Sequence, residues 1–369
     1  MNGFLRFVFG VILAGALAIG GFVGVLFFHE GTQDTVLTRV MGNAIERNTL
    51  MLQEKIEPLG GDNLDIVFCG TASPMGGADR AQSCIAVLAG PHFYLIDAGP
   101  RAASRLGLLG LPLGRLDGIM LTHFHSDHIG GLGEIHLLSW VAGRKGRLSV
   151  YGGPGVENVV TGFNESYGLD YIYRSEHHGT DLLNPQDAGM RPRLIEMEGD
   201  SAQVVAQDGL SIRALRVVHE PIAPAYGYVI SWRGRTVVIS GDTVKLESVG
   251  AASRDADVLI HEALAPDLVE RMARALNKAG NLRLARVLRD TLDYHTTPKE
   301  AAELANDANV RLLVLSHLAP TPANRLVERA FLREAAKLRS VRSGELMLAY
   351  DGLHLRLPAD SRAIDILQR

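Results

Sequence analysis

Cysteine is nearly absent from this sequence: Cys69 and Cys84 are the two in 369 residues. That count and spacing exclude a disulfide-stapled scaffold and a thiolate zinc site, so any metal has to be held by histidine and carboxylate. If the segments around the two cysteines pair as antiparallel strands, the thiols come within bridging distance; buried free thiols are the expected state. Charge is also scarce, at 21% of residues, and a net charge of −4 leaves no basic excess to grip a polyanion. There is no internal repeat and no low-complexity tract, which argues against a solenoid or a disordered chain. What is plentiful is apolar side chain, 47%, together with 40 glycines. This is the composition of a globular α/β chain with many tight turns.

One absence is local. Phe7 to Phe28 contains no charge over 22 residues. As a helix it would be about 33 Å long, which matches a hydrocarbon core of about 30 Å. The segment predicts an uncleaved membrane anchor within residues 1–30, with a signal peptide cut near Ala16-Leu17-Ala18 as the alternative. Arg6 before it and Glu30 and Asp34 after it put the N-terminus in the cytoplasm. The expected location is a single pass through the inner membrane with the catalytic body facing the periplasm, or secretion if the segment is cleaved.

Leu37, Val40, Met41, Ala44, Met51 and Leu52 recur near helical spacing before Pro58-Leu59-Gly60-Gly61. They predict a helix over Asp34 to Glu57, a stalk or linker within 31–61. From 62 to 369, short strand-like runs alternate with helical stretches. Strands are predicted at Leu64 to Cys69, Ser83 to Ala89, Phe93 to Asp97, Gly118 to Leu121, Leu148 to Tyr151, Leu210 to Val218, Ala225 to Ser231, Thr236 to Ser240, Val258 to His261, Leu312 to Ser316 and Glu345 to Tyr350. Helices are predicted at Leu246 to Ser253, Asp267 to Asp290, Lys299 to Asp307 and Asn324 to Leu338. Hairpins mixed with single strands each followed by a helix indicate two sheets with helices outside them. Residues 162–200, with Tyr167, Tyr171, Tyr173 and His177-His178, predict an inserted irregular loop that is either a lid or a cover for the core.

The chemistry concentrates in Thr122-His123-Phe124-His125-Ser126-Asp127-His128, delivered to a sheet edge by the strand before it. His123 and His125 can reach one metal from extended backbone, while Asp127 and His128 face a second position. Further ligands follow other apolar strands: His219, Asp242 in Ser240-Gly241-Asp242-Thr243, and His317. Strand ends converging on one edge are where such folds build sites. The simplest partition gives one ion His123, His125 and His219, the other Asp127, His128 and His317, and makes Asp242 a bridge. Such ligands suit two divalent ions, zinc first and manganese or iron also. Asp97 and Thr122 are candidates to buttress the ligands.

These segments resemble the metallo-β-lactamase superfamily, and within it ribonuclease Z and its arylsulfatase relatives. The resemblance rests on the His-x-His-x-Asp-His run, Gly70-Thr71-Ala72-Ser73-Pro74 with Asp79-Arg80, Ile96-Asp97-Ala98-Gly99, Ala225-Tyr226-Gly227-Tyr228, Ile260-His261-Glu262-Ala263 and Tyr294-His295-Thr296-Thr297-Pro298. It implies a four-layer αβ/βα sandwich, here expected with an N-terminal transmembrane helix. It also implies that His295 donates a proton and Glu262 orients it, alongside Asp127 in the catalytic set. Expelling an alkoxide or phenoxide is eased by an imidazolium within reach. His261 is read as structural. The sequence departs from ribonuclease Z in lacking an obvious Gly/Pro-rich basic arm.

The expected function is therefore a binuclear metal hydrolase that cleaves a small anionic phosphodiester or sulfate ester through a metal-bound hydroxide. A lactone, thioester or β-lactam hydrolase is the alternative on the same site. A tRNA endonuclease of the ribonuclease Z type applies if the body is cytoplasmic, and a catalytically silent assembly factor is the non-enzyme reading. The expected partners are the ester and, through the N-terminal helix, the membrane; a homodimer is open, and acidity disfavours nucleic acid.

Overall fold

The computed structural model describes residues 30–56, 59–75, 77 and 79–369. The chain divides into two units, residues 1–58 and 59–369. In the first, α1 (Glu30–Ile56) is a polar helix that leaves Leu37, Val40, Met41 and Ile45 exposed.

The second unit holds two sheets. The first contains β1 (Gly61–Gly70), β2 (Cys84–Gly90), β3 (His92–Ile96), β4 (Gly118–Met120), β5 (Leu148–Gly152) and β6 (Met190–Leu194). The second contains β7 (Ser201–Gln207), β8 (Leu210–His219), β9 (Ile222–Trp232), β10 (Arg235–Ile239), β11 (Val258–Leu264), β12 (Leu312–Ala319) and β13 (Leu346–Leu348). The chain then returns to the first sheet with β14 (Leu353–Leu357) and β15 (Asp365–Gln368), so that its order is β15-β14-β1-β2-β3-β4-β5-β6. The second runs β13-β12-β11-β10-β9-β8-β7.

Side-chain alternation dictates the layers. On β1, Leu64, Ile66 and Phe68 enter a core shared with Ile212, Ile230, Val237, Ile260 and Val314 of the other sheet. Val67 and Cys69 point the opposite way, against α2 (Ala102–Leu108), α4 (Leu132–Val141) and α5 (Val156–His178); α3 (Ser126–Ile129) is a single turn. The outer face of the second sheet, with Val238, Leu259, Leu313 and Leu315, is covered by α6 (Glu247–Ala252), α9 (Pro298–Asp307) and α10 (Arg325–Phe331). Between α6 and α9 the chain forms a helical hairpin, α7 (Pro266–Lys278) and α8 (Leu282–Asp290), broken at Gly280 (φ +81) and recapped by Asn281. Helix, sheet, sheet and helix are thus stacked in four layers.

Several expectations are corrected here. The fold class loses its transmembrane helix: among the described residues no helix is long and apolar enough to cross a membrane. α1 fails because Asp34, Arg39, Glu46 and Arg47 place charge along it. The predicted span Phe7 to Phe28 lies outside the described residues, and the single-pass, periplasm-facing location and the membrane partner are withdrawn with it. The free thiols are also corrected. β1 and β2 pair antiparallel, with Gly70 opposite Cys84, and Cys69 and Cys84 form a disulfide with Cα atoms 5.0 Å apart. Finally, much of 162–200 is the regular helix α5, followed by turns and the edge strand β6. Its Tyr171 packs on Trp140 and hydrogen-bonds His136 of α4, and none of its residues lines the cavity described below. It covers the first sheet.

Candidate metal centre

The predicted ligands meet where strands of both sheets end. β4 leads through Leu121 and Thr122 into His123 and His125, and α3 then turns Asp127 and His128 back into the interior, both buried. From the second sheet come His219, the last residue of β8, His317 on β12, and Asp242 just beyond β10. Gly241 makes that last approach possible: its φ is +61, and a Cβ there would lie 2.2 Å from the Tyr226 carbonyl oxygen. His317 itself sits at φ 47, beside the register shift between β11 and β12. A non-glycine residue held there is backbone strain of the kind functional sites retain.

The side chains converge closely. His123 Nε2 and His125 Nδ1 are 2.9 Å apart. Asp242 Oδ2 lies 3.3 Å from His128 Nε2, 3.8 Å from His219 Nε2 and 4.0 Å from His123 Nε2. Its other oxygen is 3.5 Å from His317 Nδ1. Asp127 Oδ2 is 3.0 Å from His317 Nε2 and 3.3 Å from His128 Nε2. Among the described residues five sets of three side chains lie close enough to hold an ion: His123-His125-His219, Asp127-His128-His317, His123-His128-Asp242, His219-Asp242-His295 and Glu262-His295-His317; the first two are the sets that spacing suggested, and the last two bring in His295.

Two observations fit metal ions to this donor set. His128 Nε2, His219 Nε2 and His317 Nδ1 are buried and find no hydrogen-bond partner among the described residues, which is costly unless something is coordinated there. The protonation states also suit it. Burial pushes His123, His125 and His219 below the ordinary imidazole range, leaving lone pairs free. Burial acts to raise Asp127 and Asp242, but the surrounding imidazoles hold both well below the carboxylate range. His128 is the exception: burial lowers it, yet Asp242, Asp97 and Asp127 outweigh burial and raise it. The carboxylates that draw a proton there would equally draw a cation.

A second set of contacts fixes the ligands. Asp97 Oδ2 is 2.7 Å from His128 Nδ1, and Asp97 is itself held by Thr122 N and Oγ1 and by Ser83 Oγ. Asp97 and Thr122 therefore buttress as predicted. Sequence reasoning missed the Tyr294 carbonyl, which lies 3.0 Å from His219 Nδ1 and turns its Nε2 inward. A backbone atom leaves no signal in residue identity. His261 contacts the Glu262 carbonyl oxygen through Nδ1 and stands outside the His/Asp groups among the described residues.

His295 and Glu262 are brought together as the motifs implied, with His295 Nδ1 3.2 Å from Glu262 Oε1. The same oxygen accepts from Thr296 N at 2.7 Å. Immediately after, Thr297 and Glu300 form a capping box at the start of α9, which pins the backbone carrying His295. Burial opposes a proton on His295, but Glu262 more than offsets it and the imidazole is pushed up to about 9. The ring lies with its centroid 5.1 Å from His219 and 5.8 Å from His317, at the rim of the centre.

A cavity of about 770 Å³ opens onto these groups and includes Asp127, Asp242, His295 and His317 in its lining. Its opposite wall is the α7–α8 hairpin, through Met272, Leu276, Leu284, Val287 and Leu288.

Residues 92–318 match the family described as the β-lactamase superfamily domain. The chain is 34% identical over 260 residues to ribonuclease Z of Mycobacterium bovis (strain BCG / Pasteur 1173P2), an alignment covering 70% of this chain and 86% of the relative. Ribonuclease Z of Mycobacterium tuberculosis (strain ATCC 25177 / H37Ra) is 32% identical with the same coverage. Among solved structures, the metallo-β-lactamase fold protein YhfI from Bacillus subtilis superposes with a TM-score of 0.55 at 21% identity, over 80% of this chain and all of that one. Human tRNase Z, short form, gives 0.52 at 21%, over 79% and 98%. The expectation that acidity disfavours nucleic acid is corrected by relatives that are ribonucleases by name. Net charge averages over a whole surface and says little about one cleft.

Proposed function

The chain belongs to the metallo-β-lactamase superfamily and is a metal-dependent hydrolase related to ribonuclease Z, and from that premise we propose that it cleaves a phosphodiester at a pair of divalent ions, zinc first among them. The observation that carries the reading is Asp242, whose carboxylate lies within 4.0 Å of imidazoles from both ligand groups. His123, His125 and His219 would hold one ion, Asp127, His128 and His317 the other, and Asp242 would touch both. Zinc bound there would supply activation of water at neutral pH and neutralisation of charge on the ester oxygens.

The chain's own residues supply the rest. Asp97 and the Tyr294 carbonyl hold His128 and His219 in one ring orientation, so the donor set is organised in advance. His295 keeps a proton on its imidazole and gives it to the departing oxygen, while Glu262 holds the ring and stabilises its charge. Carboxyl esters have less need of such an acid, which favours phosphate over lactone or thioester. RNA enters as a substrate class through the relatives' name, since its backbone is a phosphodiester.

The test is turnover by purified protein of bis(p-nitrophenyl) phosphate and of a tRNA, beside p-nitrophenyl sulfate, a lactone and a thioester, with zinc or manganese supplied. Phosphodiester cleavage abolished by chelation is expected. Turnover of the lactone or thioester but of no phosphodiester, with two ions bound, would reject the reading.

A further inference from the structure

We propose that the cleft carries an apolar subsite on the α7–α8 hairpin, which takes a hydrocarbon arm, alkyl or aryl, of the ester; this rests on the phosphodiester reading above. The hairpin is anchored by a small core of its own, in which Val269, Ala273 and Leu288 pack on Leu264 and Ala319 from the ends of β11 and β12. On that base, Met272 and Leu276 of α7 and Leu284 and Val287 of α8 are presented to the cavity. The spacing of 284, 287 and 288 keeps one face of α8 along the cleft, with Thr291 just beyond its end. Leu284 and Val287 remain 43% and 51% exposed, a cost for an apolar wall that no other described residue covers.

The occupant follows from continuity and charge. The apolar residues share one cavity with Asp127, Asp242, His295 and His317, so a single ester can reach the apolar wall and the candidate metal ligands at once. Among the described residues no lysine or arginine lines that cavity, although the hairpin is rich in arginine. Arg274, Arg286 and Arg289 instead pair with Glu270 and Asp290. A second phosphate in this part of the cleft would find no cation among the described lining residues, whereas a hydrocarbon chain would find five apolar side chains. The cavity, at about 770 Å³, has room for both the anionic centre and such an arm.

The experiment is calorimetric binding of n-alkyl phosphonates, methyl to octyl, to the zinc-loaded full chain, with alkyl p-nitrophenyl phosphodiesters as the kinetic counterpart. Affinity should rise about two- to fourfold per methylene over the first several carbons. Leu284→Asp and Val287→Asp, both at exposed positions, should flatten that rise, and their melting curves check that the fold is kept. A Kd independent of chain length overturns the subsite, as does a rise unchanged in both variants, even if phosphodiesters are turned over. Chain-length-dependent binding with no phosphodiester turnover rejects the reaction and leaves the subsite standing.

Discussion

Asp242 touches imidazoles contributed by both halves of the sandwich, so Asp242→Ala should disturb both ion positions at once. Elemental analysis should fall from about two ions per chain in the parent to one or fewer, because the remaining three-residue groups each lose their shared carboxylate. Two tightly held ions in the variant would end the bridging assignment. His295 lends itself to a different measurement. If it protonates the departing oxygen, His295→Ala should cost about 10²- to 10⁴-fold with alkyl or phenyl leaving groups and much less with p-nitrophenyl, at unchanged metal content. Glu262→Gln should follow the same trend more weakly. An equal loss for every leaving group would make His295 a positioning residue.

At the scale of elements, the contact between α4 and α5 gives a pH dependence. His136 is buried between Leu132 and Tyr171, and burial pushes its imidazole down to about 4. Unfolded, it titrates near its ordinary value, so below that value the unfolded chain binds the extra proton. Stability should therefore fall as pH drops through about 6.5 and level off near the folded value, a loss of about 2 kcal/mol between pH 7 and 5 from this group. Urea midpoints for His136→Gln should show a correspondingly shallower slope, and identical slopes would remove His136 as the cause. The disulfide gives a second test. Closing a separation of 15 residues, it should contribute about 3 kcal/mol, read as a lower denaturation midpoint in the Cys69→Ala, Cys84→Ala double variant. The same elements mark what the sequence could show. β12 was legible because a strand buried on both faces is a nearly continuous apolar run, and β8 because buried apolar residues alternate with Ser211, Arg213 and Arg216 along much of it. α5 was not, because Val156, Val160 and Ser175 alone are buried on it and Gly162 and Gly168 interrupt its pattern. β6 hides behind Arg191, Pro192 and Arg193 at a sheet edge.

For the molecule as a whole, the candidate ligands after β4 meet those on β8 and β12 and just beyond β10, so bound ions would tie one sheet to the other. Chelation should lower the melting temperature, and restoring zinc in excess over its Kd should raise it by several degrees, as expected for a ligand bound by the folded state alone. An unchanged melting temperature at full metal occupancy would show that the unfolded chain holds the ions as tightly as the folded one. The convergence of the seven candidate ligands was legible because each residue type is chemically rare after a strand. The α7–α8 wall was not, since its leucines read as ordinary core positions in one long helix until Gly280 breaks it. The return of the chain to its starting sheet has a consequence for synthesis. Leu64 to Val67 of β1 find their second neighbour only in Leu357 to His354, which are made almost three hundred residues later. On the ribosome, β1 therefore waits with an open edge while the ligand-bearing strands emerge beside it. His317 also emerges after the other six candidate ligands, so the nascent chain cannot assemble the full candidate donor set until the second sheet has reached β12.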